Sequence, residues 1–595
     1  MYTSFQLSNF KILNSQNLKT MRKLIITSLL ILFTGISFSQ VKKDTLKTEE
    51  ISVVKPYTPT ISEAFKVKSN PVIDASNSFQ KENVTYSIFS IPVASTFTPS
   101  KGKAQGLART PKERFYENYI SAGFGNYMSP LLDAFVHTGD PRYNDFGVLL
   151  NYRSSENSIK DILLDDNFSK TKVDLYYKQF ESDFNWKINL GYGRERYNYY
   201  GLPTDIIYDE NVIDAIDEKQ VYSTLYLGGN INFDKSIFQG ATVEIINFMD
   251  DYESEEVRFL IKPQFNYQIS TDHINGGFLI DFVSGKFDQN YLASDHIAYS
   301  FLNLGINPSY EILRDHLSVN IGAKVYYTFD FENNTNSFKF YPNVTASFKL
   351  IDDIFILLAG VTGDLVQNTY KDFVEENPYV SPTLNVLQTD QQYKAFAGAK
   401  GKLASNIGYN FNVSYQSEKD KALYIQNQTQ TNGISLVNKA YQAGNSFGVV
   451  YDNVETINVH GEINFEITKE FQLAGSVDYS NYSTNTQLHA WNLPEIKAII
   501  SADYREKKWY VGTQLFFNSN TKDFVIPYGD IPENGAVVTN NSFVDLNFNA
   551  GYIFTNQWSV FAKINNAIGE SYNRFVNYPV QSFQVLGGVT YKFDL

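Results

Sequence analysis

Residues 184–193 read Phe-Asn-Trp-Lys-Ile-Asn-Leu-Gly-Tyr-Gly. Phe184, Trp186, Ile188, Leu190 and Tyr192 fall on one parity, with Asn185, Lys187, Asn189, Gly191 and Gly193 on the other. Successive side chains of a strand point to opposite faces, so this stretch predicts a strand with one apolar and one polar face. The pattern returns in Val544, Leu546, Phe548, Ala550 and Tyr552, set against Asp545, Asn547, Asn549 and Gly551. It closes the chain in Phe583, Val585, Gly587, Val589, Tyr591 and Phe593, against Gln584, Gly588, Thr590 and Lys592, with Leu586 out of phase. From about Arg114 onward the alternating stretches run roughly twice the 5–6 residues of a strand in a soluble protein. Their polar phase is rich in Asn, Lys, Asp and Gly, which suits a wet lumen rather than a sandwich core. Aromatic residues gather near strand ends, as at Tyr192, Tyr197, Tyr199 and Tyr200, where a membrane-interface girdle is expected. The predicted fold is all-β, a transmembrane antiparallel up-and-down β-barrel.

Turn signals set the strand number. Short connections are predicted at 139–142, 182–183, 234–236, 270–272, 314–315, 352–353, 404–406, 468–470, 505–507 and 555–557. Eleven further connections alternate with them, the clearest being the long ones near 155–169, 201–218, 287–295, 368–391, 429–444, 484–494 and 519–540. Ten tight turns joining eleven hairpins give about 22 strands, an even number as single-chain bacterial barrels require. Short turns then face the periplasm and long loops the outside.

Composition agrees. The 595 residues include 50 Lys+Arg and 64 Asp+Glu, for a net charge of −14, with 46 Phe, 42 Tyr, 4 Trp and no Cys. Without cysteine there is no disulfide framework, thiol nucleophile or zinc ribbon. The acidic balance excludes nucleic acid as a partner, because phosphates demand a basic face. No apolar run of helical membrane-spanning length occurs in the body of the chain. Residues 21–40, MRKLIITSLLILFTGISFSQ, read as a signal peptide: Arg22 and Lys23 lead a short apolar run, and Ser37 and Ser39 precede a cleavage point before Gln40. Translation is expected to start at Met21, which makes 1–39 a leader. Residues 40–114 hold six prolines (Pro56, Pro59, Pro71, Pro92, Pro99 and Pro111), a density that opposes both helix and sheet. They are read as an extended periplasmic or lumen-facing segment, and 115–595 as the barrel. An exported, cysteine-free barrel belongs in the outer membrane of a Gram-negative cell.

The stretches NNAIGESYNRFVNYPVQSFQVLGGVTYKF (565–593), WSVFAKINNAIG (558–569) and NPYVSPTLNVLQTDQQYKAFAGAKGKL (377–403) resemble the barrel of TonB-dependent receptors. That resemblance implies a 22-stranded barrel taking part in uptake of a ligand across the outer membrane, with TonB as a partner. Residues 40–114 are too short and too proline-rich for the family's complete plug domain. Within them Glu49, Glu50, Ile51, Ser52, Val53 and Val54 resemble the short segment that such receptors offer to TonB as an added strand. The apolar cluster 84–99 is expected to line or partly block the lumen, or to tether a partner. Tyr591, Phe593 and Leu595 resemble the C-terminal signal read by the outer-membrane assembly machinery. Outer-membrane lipids and lipopolysaccharide complete the expected partners, with TonB or a plugging protein. The alternative function is a plug-less barrel serving as a scaffold in an outer-membrane complex.

Candidate chemistry is sparse. The six histidines, His137, His273, His296, His316, His460 and His489, are scattered; only His460 and Glu462 share a strand face closely, too few ligands for a metal. Gly444-Asn445-Ser446-Phe447-Gly448 matches a nucleophile elbow in letters only, because a strand rather than a helix follows it. The acidic runs Asp161–Asp166, Asp250–Glu256 and Glu375-Glu376 read as a solvated rim in outer loops, with loop Ca²⁺ as the functional alternative. Tyr197, Tyr199 and Tyr200, with Arg194 and Arg196, read as girdle aromatics, with carbohydrate stacking as the alternative. No catalytic residue, metal site or cofactor is assigned.

Overall fold

The computed structural model describes residues 116–140, 142–156 and 159–595. Strands of 8 to 20 residues follow one another antiparallel from Asn118–Gly125 to Gln584–Phe593. Ile297–Ile306 and Ser309–Leu313 both pair with Asp272–Phe287 and with Leu317–Asp330, so they are one strand interrupted at Asn307-Pro308. The 23 segments of the sheet are therefore 22 strands. Pro308 has no N–H to give the ladder, which is consistent with the break. The first and last strands pair from Asn118↔Phe593 to Gly125↔Leu586, and this pairing closes the barrel without a free edge.

All ten predicted tight turns fall between consecutive strands at one rim. The other rim carries the long connections, and Asn118 and Phe593 sit on the tight-turn side. The two faces of the wall follow the alternation. Ile188, Leu190 and Tyr192 lie beside Leu227 and Leu225 on the outer surface, each more than a third exposed. A continuous apolar belt of this kind is stable only against lipid. The opposite parity carries ion pairs into the lumen: Arg258–Asp281 at 2.7 Å, Lys324–Asp364 at 2.6 Å and Lys339–Asp390 at 2.8 Å. The Tyr326 and Tyr341 hydroxyls donate to those same Asp364 and Asp390 carboxylates.

Inner-face tyrosines lie flat over glycines. The ring of Tyr176 covers Gly147, that of Tyr299 covers Gly285 and that of Tyr510 covers Gly551, so a Cβ at each glycine would fall inside the ring. The aromatic ring restores the side-chain contact that glycine lacks. Gly551→Ala is accordingly expected to push Tyr510 off the wall at about 1–3 kcal/mol. The folded barrel should lose its compact migration on unboiled gels at a lower temperature than wild type, and an unchanged transition would refute the packing.

Candidate ligand site at the outer mouth

The long loops fold inward rather than standing out in solvent. Tyr222, Phe248, Val283, Phe287, Tyr299 and Phe301, on the outer ends of strands, form one buried cluster with loop residues Leu202, Val212, Tyr370, Phe373, Val380 and Leu384. Their strand partners place the first six on the lumen face, so the cap seats in the mouth of the barrel. Two short helices, α1 (Glu210–Ala215) and α2 (Tyr370–Glu376), belong to it.

Two acids latch the cap to the wall. Glu256 accepts the backbone N–H of Tyr370 at 2.6 Å and of Lys371 at 3.2 Å, and also the Tyr299 hydroxyl. These are orphan donors of the first turn of α2, where a carboxylate is favoured. Thr369 completes the cap by accepting from the Asp372 N–H at 3.0 Å. Asp250, at the other side of the same tight bend, accepts the Tyr370 hydroxyl at 2.7 Å and the N–H groups of Tyr252 and Ser254 at 2.9 Å. A third acid, Asp523, sits in a hairpin of the loops (Thr521–Val525 paired with Ala536–Asn540). It is fully buried and accepts from Gln426 N, Phe524 N and Asn492 Nδ2. Burial pushes its carboxyl up to about 7, against those three donors.

On one side of the mouth the cap leaves a cavity of 580 Å³, between the outer ends of strands 144–198 and 543–593. Arg153, Lys170, Tyr197, Tyr379, Tyr572 and Arg574 are among its lining residues. Lys170 pairs with Glu195 at 2.6 Å and lies over the Tyr197 ring at 5.2 Å. Tyr379 stacks on Tyr578 with centroids 3.7 Å apart, and burial pushes its hydroxyl up to about 12, so it stays a proton donor at physiological pH. The Tyr572 ring stacks on Phe543 at 3.8 Å while its hydroxyl donates to Asp545 at 2.7 Å. Cations, carboxylates and preset hydroxyls around a concave space make a polar ligand site.

Several expectations are corrected here. Tyr199 and Tyr200 are not girdle residues: the strand ends at Asn198, and both rings are buried in the cap. Their hydroxyls donate to the carbonyls of Val380 and Pro579 at 2.8 and 2.9 Å. Tyr197 faces the cavity, and Tyr192 alone of the four stands on the lipid face. The acidic runs are not a solvated rim throughout, because Asp166 and Glu256 are buried acceptors and Asp250 is a half-buried one. Among the described residues no three His, Cys, Asp or Glu side chains group to hold a metal. His460 pairs mainly with Asp478 across the sheet at 2.9 Å. Ser446 is fully buried and donates to the Tyr441 carbonyl, with a strand starting at Phe447, which is no nucleophile elbow. Tyr591 and Phe593 end the closing strand in stacked contact, and Tyr591 packs on Trp558; Leu595 lies past the strand. The segment Glu49 to Val54, the cluster 84–99 and the incomplete-plug reading of 40–114 lie outside the described residues.

No protein-family model and no curated sequence matches the chain. Solved structures do. The FrpB iron transporter of Neisseria meningitidis superposes with a TM-score of 0.61 at 10% identity, over 81% of this chain and 82% of that one. FpvA of Pseudomonas aeruginosa, the outer-membrane receptor bound to pyoverdine, gives 0.59 at 12% identity over 82% and 80%. The ferric-catecholate import receptor Fiu of E. coli K12 gives 0.58 at 8% identity over 81% and 82%. These are TonB-dependent receptors. With 22 antiparallel strands closed on themselves, a lipid-facing belt and a loop-filled outer mouth, the chain has the barrel fold of the TonB-dependent outer-membrane receptors.

Proposed function

We propose that this barrel takes up a ligand across the outer membrane, capturing it first in the cavity lined by Tyr197, Tyr379, Tyr572 and Arg574. The observation that carries the reading is the pairing of a wide polar lumen with a mouth closed by its own loops. A 22-stranded barrel of this width is a plugged transporter rather than an open pore. The ferripyoverdine bound by FpvA and the ferric-catecholate import of Fiu, beside the iron transport of FrpB, support ferric pyoverdine and ferric-catecholate complexes as the first ligands to try. Glu49 to Val54 would receive energy from TonB through an added strand, and Tyr591, Phe593 and Leu595 would carry the assembly signal.

Deleting residues 44–56 is expected to abolish uptake of the bound ligand while leaving its binding to intact cells unchanged. Uptake that persists at the wild-type rate would overturn the TonB-driven reading, and absence of uptake by the wild type itself would favour the scaffold. Single-channel conductance of the full-length protein, beside a variant lacking 41–113, then tells whether the N-terminal segment or another protein blocks the lumen.

A further inference from the structure

The outer surface of the cap exposes aliphatic side chains that the fold does not use. Ile207 is 90% exposed, Leu292 75%, Ile434 68% and Leu436 63%. They come from three loops that are tied together. Asp209 N donates to the Gly433 carbonyl at 2.8 Å, and Gln430 Nε2 donates to the Tyr291 carbonyl at 2.7 Å. The Tyr291 hydroxyl donates back to the Gln428 carbonyl at 2.9 Å. Gly433 fits only because it has no side chain: it holds a φ of 90°, and a Cβ there would strike the Ile207 carbonyl. These tips are therefore held as a surface rather than as loose ends.

The charge around them is predominantly negative. Residues 201–218 carry Asp205, Asp209, Glu210, Asp214, Asp217 and Glu218, and residues 288–296 carry Asp288 and Asp295. The only Lys or Arg in these two stretches and 427–446 is Lys439, whose ammonium lies over the Tyr252 ring at 5.9 Å. An apolar patch rimmed by acids repels anionic lipopolysaccharide, and it repels a second copy of this acidic chain equally. What it complements is a cationic surface with apolar side chains of its own.

We propose that the patch formed by Ile207, Leu292, Ile434 and Leu436 is a docking surface for a basic, partly apolar segment of a partner protein outside the outer membrane. Aliphatic burial supplies affinity, and the surrounding carboxylates select the partner's sign and speed its approach. Of the three loops that carry the patch, only that of Ile207 also reaches the cavity, through Tyr200, and none of the four patch side chains lines it, so partner docking does not depend on the uptake reading.

The test uses the full-length protein in nanodiscs and two synthetic amphipathic peptides of equal length, one alternating Lys with Leu and one alternating Glu with Leu, with empty nanodiscs as reference. The Lys/Leu peptide should bind saturably and the Glu/Leu peptide should not. Affinity should fall at least about tenfold in the quadruple variant Ile207→Ser, Leu292→Ser, Ile434→Ser, Leu436→Ser. It should also fall when salt is raised from roughly 50 to roughly 500 mM. All four side chains are exposed, so the variant keeps its barrel, which its migration on unboiled gels verifies. Equal binding to wild type and variant, binding of the Glu/Leu peptide, or no binding beyond empty nanodiscs would each overturn the proposal. A second variant, Asp205→Asn, Asp209→Asn, Asp214→Asn, Asp217→Asn, separates the two contributions: it should lose the salt dependence and retain part of the affinity.

Discussion

Replacing Glu256 by alanine is expected to free helix α2 from the mouth of the barrel while the wall stays closed. The carboxylate satisfies two backbone N–H groups of the helix's first turn and the Tyr299 hydroxyl, the Tyr370 N–H and the hydroxyl buried and the Lys371 N–H partly so. Alanine leaves three donors without an acceptor, and each unsatisfied buried group costs about 1–3 kcal/mol. The local loss is then about 3 kcal/mol or more, enough to raise amide hydrogen exchange over 370–377 about a hundredfold. Gly285→Ala reaches the same latch from a distance. A Cβ at 285 would occupy the Tyr299 ring, and moving that ring withdraws the hydroxyl from Glu256. Tyr299→Phe removes the same single donor without crowding, so its effect should be nearer 1 kcal/mol. The order expected is Glu256→Ala above Gly285→Ala above Tyr299→Phe. Exchange at 370–377 that stays at the wild-type rate in Glu256→Ala would show that α2 is held by its apolar contacts alone. With the latch open, ferric-chelate binding at the cavity should weaken, because Tyr379 follows directly on α2 and its ring forms one wall of that space.

The wall was legible because its physics is local. Alternation fixes which face of each strand meets lipid, and turn residues mark where each strand stops, so all ten tight turns fall where the residues place them. The cap was not legible, because its contacts join residues that no period links. Tyr370 meets Glu256 across 114 positions, Tyr199 meets Val380 across 181, and Asn445 meets Tyr199 across 246. Read alone, Asp250 to Glu256 is a solvated acidic run. Only the arrival of a helix start with free N–H groups turns Glu256 into a buried acceptor. Tyr199 and Tyr200 mislead for the same reason: aromatic residues just past a strand suit a membrane interface and an inward-folded loop equally. Two signals in the sequence did favour the second. Pro203 and Gly201 follow those tyrosines immediately, and Gly201 makes room for the ring of Tyr578. The break at Asn307-Pro308 is consistent with the rule that proline gives no ladder donor, although Pro342 pairs in register inside the unbroken strand Thr335–Ile351.

Raising the pH from about 5 to about 8 is expected to loosen the hairpin that holds Asp523, and with it the neighbouring loop of Trp491. Asp523 is buried with its carboxyl pushed up to about 7, well above the ordinary carboxylate value near 3.9. A raised folded value means that the folded cap prefers the protonated acid. Its contribution is fully present below about pH 3.9, falls as the opened form ionises, and is lost once pH passes about 7. Three units of displacement correspond to about 4 kcal/mol across that window. The ionised form keeps the three donors from Gln426, Phe524 and Asn492, and these do not outweigh the desolvation. Trp491 is buried against Phe524, with ring centroids 5.6 Å apart, and provides the reporter. The difference in emission between wild type and Trp491→Phe should shift to the red at a lower urea concentration at pH 8 than at pH 5. Asp523→Asn, which holds the site neutral at every pH, should make the two transitions coincide near the pH 5 position. Carboxylates elsewhere whose folded values are depressed would give the opposite slope, so a cap that tightens as pH rises would remove Asp523 as its controlling group.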